Sequence, residues 1–168
     1  MVAAQRLAGG IDTFIDLVGR ATSWLALGIA LVMGANVLLR YAFSIGSIWM
    51  QEFEWHIMVP ICVFGMSYAL LHGEHVRVDV LFARFSDRNK NLVELISALL
   101  LMAICLVVIW LSYRYVMQSW LNDEGSANPG GIPARYLLKA LIPLGFALMF
   151  VQALGHAIRF YYAWRRAA

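Results

Sequence analysis

The side chains in this sequence best suited to chemistry are four histidines and a few carboxylates, and their spacing limits the chemistry open to them. Membrane proteins built from four helices hold haem between imidazoles on facing helices. Here His56 lies near one end of an apolar run, while His72, His75 and His156 gather near the opposite side. Only His72 and His156 can share a depth on separate helices, and both fall at run ends, so a haem-holding cytochrome stands as the alternative reading. A proton or ion pathway needs carboxylates at mid-membrane. Glu52 and Glu54 instead sit at the outer end of the second run, and Glu94 at the inner end of the third. A transporter core also needs helices unwound at mid-depth, and no such stretch interrupts the four runs. Cys62 and Cys105 lie inside apolar runs with no metal-ligand spacing, as small core residues do. The sequence therefore points to no catalytic, substrate-binding or metal-binding residue and no cofactor, and nothing in it reads as an enzyme.

The elements that carry these residues follow from composition. Of 168 residues, 62% are hydrophobic and 14% charged, well beyond the proportions of a soluble domain. The apolar residues cluster in four runs, near 21–39, 53–71, 92–120 and 137–160. Each is about 20 residues or more, enough to cross roughly 30 Å of hydrocarbon. The chain reads as all-α, a single membrane domain over 1–168 with four transmembrane helices. The first run is read as an uncleaved span, since no small-residue cleavage site precedes Arg40 and Tyr41. Leu7, Ile11, Phe14 and Val18 mark residues 6–18 as an amphipathic lead-in lying at a surface. Thr22, Ala26, Ala30 and Gly34 form one small-residue face, and Gly65, Ala69 and Gly73 another; such faces let helix backbones approach closely. Between the second and third spans, Val78, Leu81, Phe82 and Phe85 alternate with Arg77, Arg84 and Arg88. That spacing predicts an interfacial helix over about 76–88, its arginines reaching lipid headgroups.

Basic residues set the orientation. Nine (Arg6, Arg20, Arg77, Arg84, Arg88, Lys90, Arg159, Arg165, Arg166) fall on the side of both termini, and four (Arg40, Arg114, Arg135, Lys139) on the other. Both termini are therefore expected in the cytoplasm. On the outer side Arg40, Glu52, Glu54 and Arg114 should share one depth, with Arg40 paired to Glu52. Asn36, one turn before Arg40, should hydrogen-bond to a neighbouring helix or chain. The net charge of +3, without aromatic-interleaved basic tracts, excludes a nucleic-acid surface.

Read in order, Asn36, Arg40 and Tyr41, then Trp49 and Glu52, then the run from Gly73 through His75, Arg77 and Asp79 to Leu81, then Ile132–Pro133 and Pro143–Leu144–Gly145 resemble the DctQ-type small membrane subunit of tripartite ATP-independent periplasmic (TRAP) transporters. The resemblance covers about residues 15–160. The chain departs from that family's usual pattern at Gln51 and at Ala134–Arg135. The resemblance implies a bacterial inner-membrane protein that works with a large membrane subunit and a periplasmic substrate-binding protein. In such systems the large subunit holds sodium and an organic-acid substrate, and the small one enlarges the static scaffold. Because the chain ends at Ala168 after a basic tail, the large subunit is expected on a separate polypeptide. The residues expected at partner interfaces are Asn36, Arg40, Tyr41, Trp49, Glu52, Gly73, His75, Arg77 and Asp79.

Overall fold

In lipid a backbone N–H or C=O left unpaired costs several kcal/mol, so apolar runs of this length close their hydrogen bonds internally as helices. The computed structural model describes residues 2–74 and 85–166. Within them are four long helices: α1 (Val2–Phe43), α2 (Ile48–His72), α3 (Asp87–Leu121) and α4 (Arg135–Arg166). All four are long and apolar enough to span a membrane. No strand occurs among the described residues.

Local chemistry sets the helix ends. Ser47 and Ser86 cap α2 and α3, their hydroxyls accepting from the N–H groups of Met50 and Asn89, each at 3.4 Å. At the other end of α2, Gly73 takes a left-handed φ of 75°. The N–H of Glu74 then reaches the Ala69 carbonyl, and that of Gly73 the Leu70 carbonyl, which is a Schellman closure. Gly73 is thus the terminator of α2. The end of α3 closes in the same way around Asp123 at φ 45°, with Glu124 N–H on Ser119 and Asp123 N–H on Trp120. Asp tolerates that conformation better than most residues.

Antiparallel neighbours build the bundle, with α4 touching all three other helices and α3 packing chiefly on α4. Along α3 the buried residues Ala98, Cys105, Ser112 and Ser119 recur every seventh position, the repeat that keeps one seam facing a partner helix. On α4, Gly145 and Gln152 keep the same interval. The other contacts each close on a glycine. Gly19 of α1 lies under the Tyr68 ring of α2, and Gly145 of α4 faces Val63 of α2, where a Cβ would come within 2.6 Å of the Val63 Cβ. Gly155 of α4 faces Ile11 of α1, where a Cβ would stand 3.3 Å from Cγ2.

One expectation changes here. Residues 6–18 do not lie along a surface. They extend α1 into one 42-residue helix, with Ala8 and Ile15 buried at 2% and 0% exposure. Asp12 faces α4, while Asp16 pairs with Arg20 of its own helix beside His72 of α2, and each aspartate stays about a quarter exposed. Of the small-residue faces, Ala26, Ala30 and Gly34 are exposed on the outside of the bundle, and Gly34 and Gly65 have open space where a Cβ would stand. The interfacial helix expected at 76–88 falls largely on residues 75–84, outside the described residues, and its last two positions already belong to α3.

Candidate functional site

The polar side chains in reach of one another gather at the two ends of the bundle. At one end, Glu52 sits on the second turn of α2 and is buried at 3% exposure. Its carboxylate faces the loop joining α3 to α4. There it accepts from Ser126 Oγ, from Asn128 Nδ2 at 3.0 Å and from the Ile132 N–H at 2.6 Å. A carboxylate offers about four acceptor positions, so one residue gathers most of the loop. Ser126 Oγ also accepts from the Asn128 N–H at 3.1 Å. Gly131 is required for this closure, because a Cβ there would fall 2.6 Å from Glu52 Oε2. Ala134 holds φ at 60°, and Arg135 N–H donates to the Glu124 carbonyl at 2.9 Å, joining the loop to α4.

Beside this cage a groove of about 310 Å³ opens between α2, α3 and α4. Lys139 donates to Glu124 Oε2 and stands 3.9 Å from the Tyr115 ring centroid. Arg135 Nη1 is 3.9 Å from Glu124 Oε1, and its guanidinium lies 5.8 Å from the Trp55 ring. The Lys139 ammonium beside Glu124 holds the Glu124 carboxyl below the usual carboxylate range.

The expected Arg40–Glu52 pair does not form. Arg40 is exposed, its guanidinium 5.4 Å from the ring of Tyr41, and Tyr41 is itself 79% exposed. The reason is rotational: residues 52 and 54 project about 200° apart on a helix of 3.6 residues per turn. With Glu52 turned to the loop, Glu54 faces α1, where Asn36, at 7% exposure, donates to its Oε1 at 2.8 Å. Asn36 therefore does bridge to a neighbouring helix, with a carboxylate as its partner. Trp49 is half-exposed and stacks on Phe53 at 5.1 Å. His75, Arg77 and Asp79 lie outside the described residues.

The opposite end joins α1 to α4 and α2. Asp12 accepts from Gln152 Nε2 at 3.1 Å and from Arg159. Asp16 pairs with Arg20 at 2.8 Å and lies 4.0 Å from His72 Nε2. The sequence reading missed this network because it laid residues 6–18 on a surface; Gln152, a lone amide in an apolar run, was the available signal. The described histidines, His56, His72 and His156, are engaged separately. His56 donates through Nδ1 to the Glu52 carbonyl at 2.7 Å and His72 to that of Tyr68 at 3.1 Å, while His156 packs edge-on against Phe160 at 5.7 Å. Nothing in these arrangements supports a haem held between His72 and His156. Among the described residues no group of three or more His, Cys, Asp or Glu is placed to hold a metal ion.

Between the ends, the hydroxyls of Thr22 and Ser67 bond to their own helix, on the Val18 and Phe64 carbonyls at 2.8 Å each. Residues 29–161 match the family described as tripartite ATP-independent periplasmic transporters, DctQ component. The chain is also 27% identical, over 157 residues, to the ectoine TRAP transporter small permease protein TeaB of Halomonas elongata. That alignment covers 91% of this chain and 79% of the relative.

Proposed function

The chain belongs to the DctQ family of TRAP transporter components, which makes it a transporter subunit and no enzyme, and on that premise we propose that it is the static scaffold partner of a large membrane subunit. In this reading the large subunit carries substrate and sodium, and the small one binds neither. The observation that carries it is the placement of polar groups. Glu52, Asn36 and Glu54 lie toward one end and Asp12 and Arg159 toward the other, Gln152 inside α4 is turned to Asp12, and the hydroxyls of Thr22 and Ser67 turn back on their own helices. Transport chemistry at mid-depth needs polar groups offered to a solute.

The exposed face of Ala26, Ala30 and Gly34 on α1 suits close approach by a helix of the large subunit. The nine-to-four distribution of basic residues supports an inner-membrane orientation with both termini in the cytoplasm. The Glu52 end would then face the periplasm, where the loops 44–47 and 122–134 help receive a substrate-binding protein. For the substrate, family resemblance favours an organic acid, and the name of the TeaB relative adds ectoine as the second compound to test. Reconstituted vesicles decide the scaffold role. Sodium-driven uptake with all three components should fall to background when this chain is omitted, and the purified chain should bind neither an organic acid nor ectoine. Uptake at full rate without it would refute the proposal.

A further inference from the structure

We propose that the groove between α2, α3 and α4 at the Glu52 end is a phospholipid site, in which Arg135 and Lys139 take the phosphate diester and an acyl chain runs down past Val59 and Ile142. The first support is the state of the two cations. Arg135 and Lys139 both stand beside Glu124, and Arg135 also lies in the field of the Glu52 carboxylate. Lys139 is hydrogen-bonded to Glu124, but Arg135 is 3.9 Å away, too far for a hydrogen bond. Among the described residues the Arg135 guanidinium makes no hydrogen bond to Glu124, and Arg135 lines the groove. A guanidinium presents a planar fork of donors that fits phosphate oxygens.

The second support is the order of side chains with depth. Trp55 and Arg135 stand near the helix ends at this side, as does the pair Trp120–Tyr136, whose rings meet edge-on at 4.6 Å. Aromatic residues of this kind belong at headgroup level. Val59 lies one turn below Trp55, and Ile142 two turns below Arg135, about 6 and 10 Å deeper by helical rise. The groove is thus polar and aromatic where a headgroup would sit and aliphatic where the chains begin. Its volume of about 310 Å³ falls in the range of sites for small organic groups rather than single ions.

Phosphate chemistry is shared by a lipid and by the free anion, so the test separates them. Native mass spectrometry of the full-length chain in detergent would follow retained phosphatidylglycerol, with matched diacylglycerol and inorganic phosphate as competitors. One phospholipid should be retained, displaced by neither competitor. Arg135→Gln should weaken retention about ten-fold or more, the loss of a charge-assisted hydrogen bond. Arg165→Gln, which removes an arginine near the other end of the same helix, should leave retention unchanged. Should Arg135→Gln fail to fold, the competition on the native chain still decides. Displacement by inorganic phosphate, equal retention of diacylglycerol, or equal loss in both variants would each overturn the site.

Discussion

At the Glu52 end one carboxylate, 3% exposed, accepts from a hydroxyl, an amide and a backbone N–H of a single loop. At the Asp12 end a carboxylate about a quarter exposed is shared between two side chains of α4. The first arrangement fixes irregular backbone that would otherwise lack acceptors; the second ties together two helices whose backbones are already satisfied. A buried acceptor with fixed donors tolerates no replacement, because removing it strands each of them. A partly exposed ion pair can exchange its partner for water and is screened. The two ends therefore differ in how much each depends on a single residue, although both look like small charged clusters.

The largest expected effect separates them directly. Glu52→Ala takes the acceptor from the half-buried Ser126 hydroxyl and Ile132 N–H and from the exposed Asn128 amide, and the melting temperature of the purified chain should fall by more than about 5 °C. Asp12→Ala strands one donor, the fully buried Gln152 amide, while Arg159, about a third exposed, can reach water, and its fall should stay near about 2 °C. Equal losses would erase the distinction between the ends.

A smaller effect comes from the glycine contacts above and below. At Gly145 a Cβ would come within 2.8 Å of the Val63 carbonyl oxygen as well as its side chain, so backbone must move. Gly145→Ala should cost about 1–3 kcal/mol, as overpacking does. At Gly155 the neighbour is the Cγ2 of Ile11 at 3.3 Å, the end of a side chain that can shift. Gly155→Ala should cost less than about 1 kcal/mol. Denaturation of both variants in one detergent would rank them, and the reverse order would show that the Asp12 end is the tighter one.

The smallest effect concerns Glu124, which belongs to the Glu52 end but lies in its partly exposed rim. Its folded carboxyl titrates below the ordinary value of 4.5 because of Lys139. A depressed folded value means that the contribution is present in full above the unfolded value and disappears as pH falls through the folded one. The difference in melting temperature between the native chain and Glu124→Gln should hold constant from pH 7 to about 5 and shrink below 4.5. A difference that grew on acidification would reverse the assignment of the pair.

The sequence by itself determined that there are four long helices and roughly where the hydrocarbon lies against them. Those are local consequences of apolar run length and of the cost of unpaired backbone in lipid. The order of landmarks from Asn36 to Gly145 likewise carried the family, and Asn36 was legible as an interhelical donor because an amide in an apolar helix needs a partner. Tertiary structure decided which partner each polar group took. Glu52 and Glu54 are two residues apart, and sequence spacing leaves their common rotation about the α2 axis undetermined. That rotation is set by the Tyr68 ring over Gly19 and by Val63 against Gly145, contacts between helices far apart in the chain. They turn Glu52 to the loop and Glu54 to Asn36, and leave Arg40 with Tyr41. The same holds for residues 6–18, whose amphipathic pattern suits a water-facing surface as well as a neighbouring helix bearing Gln152 and Arg159. Periodicity fixes which residues share a face, and only packing fixes what that face meets.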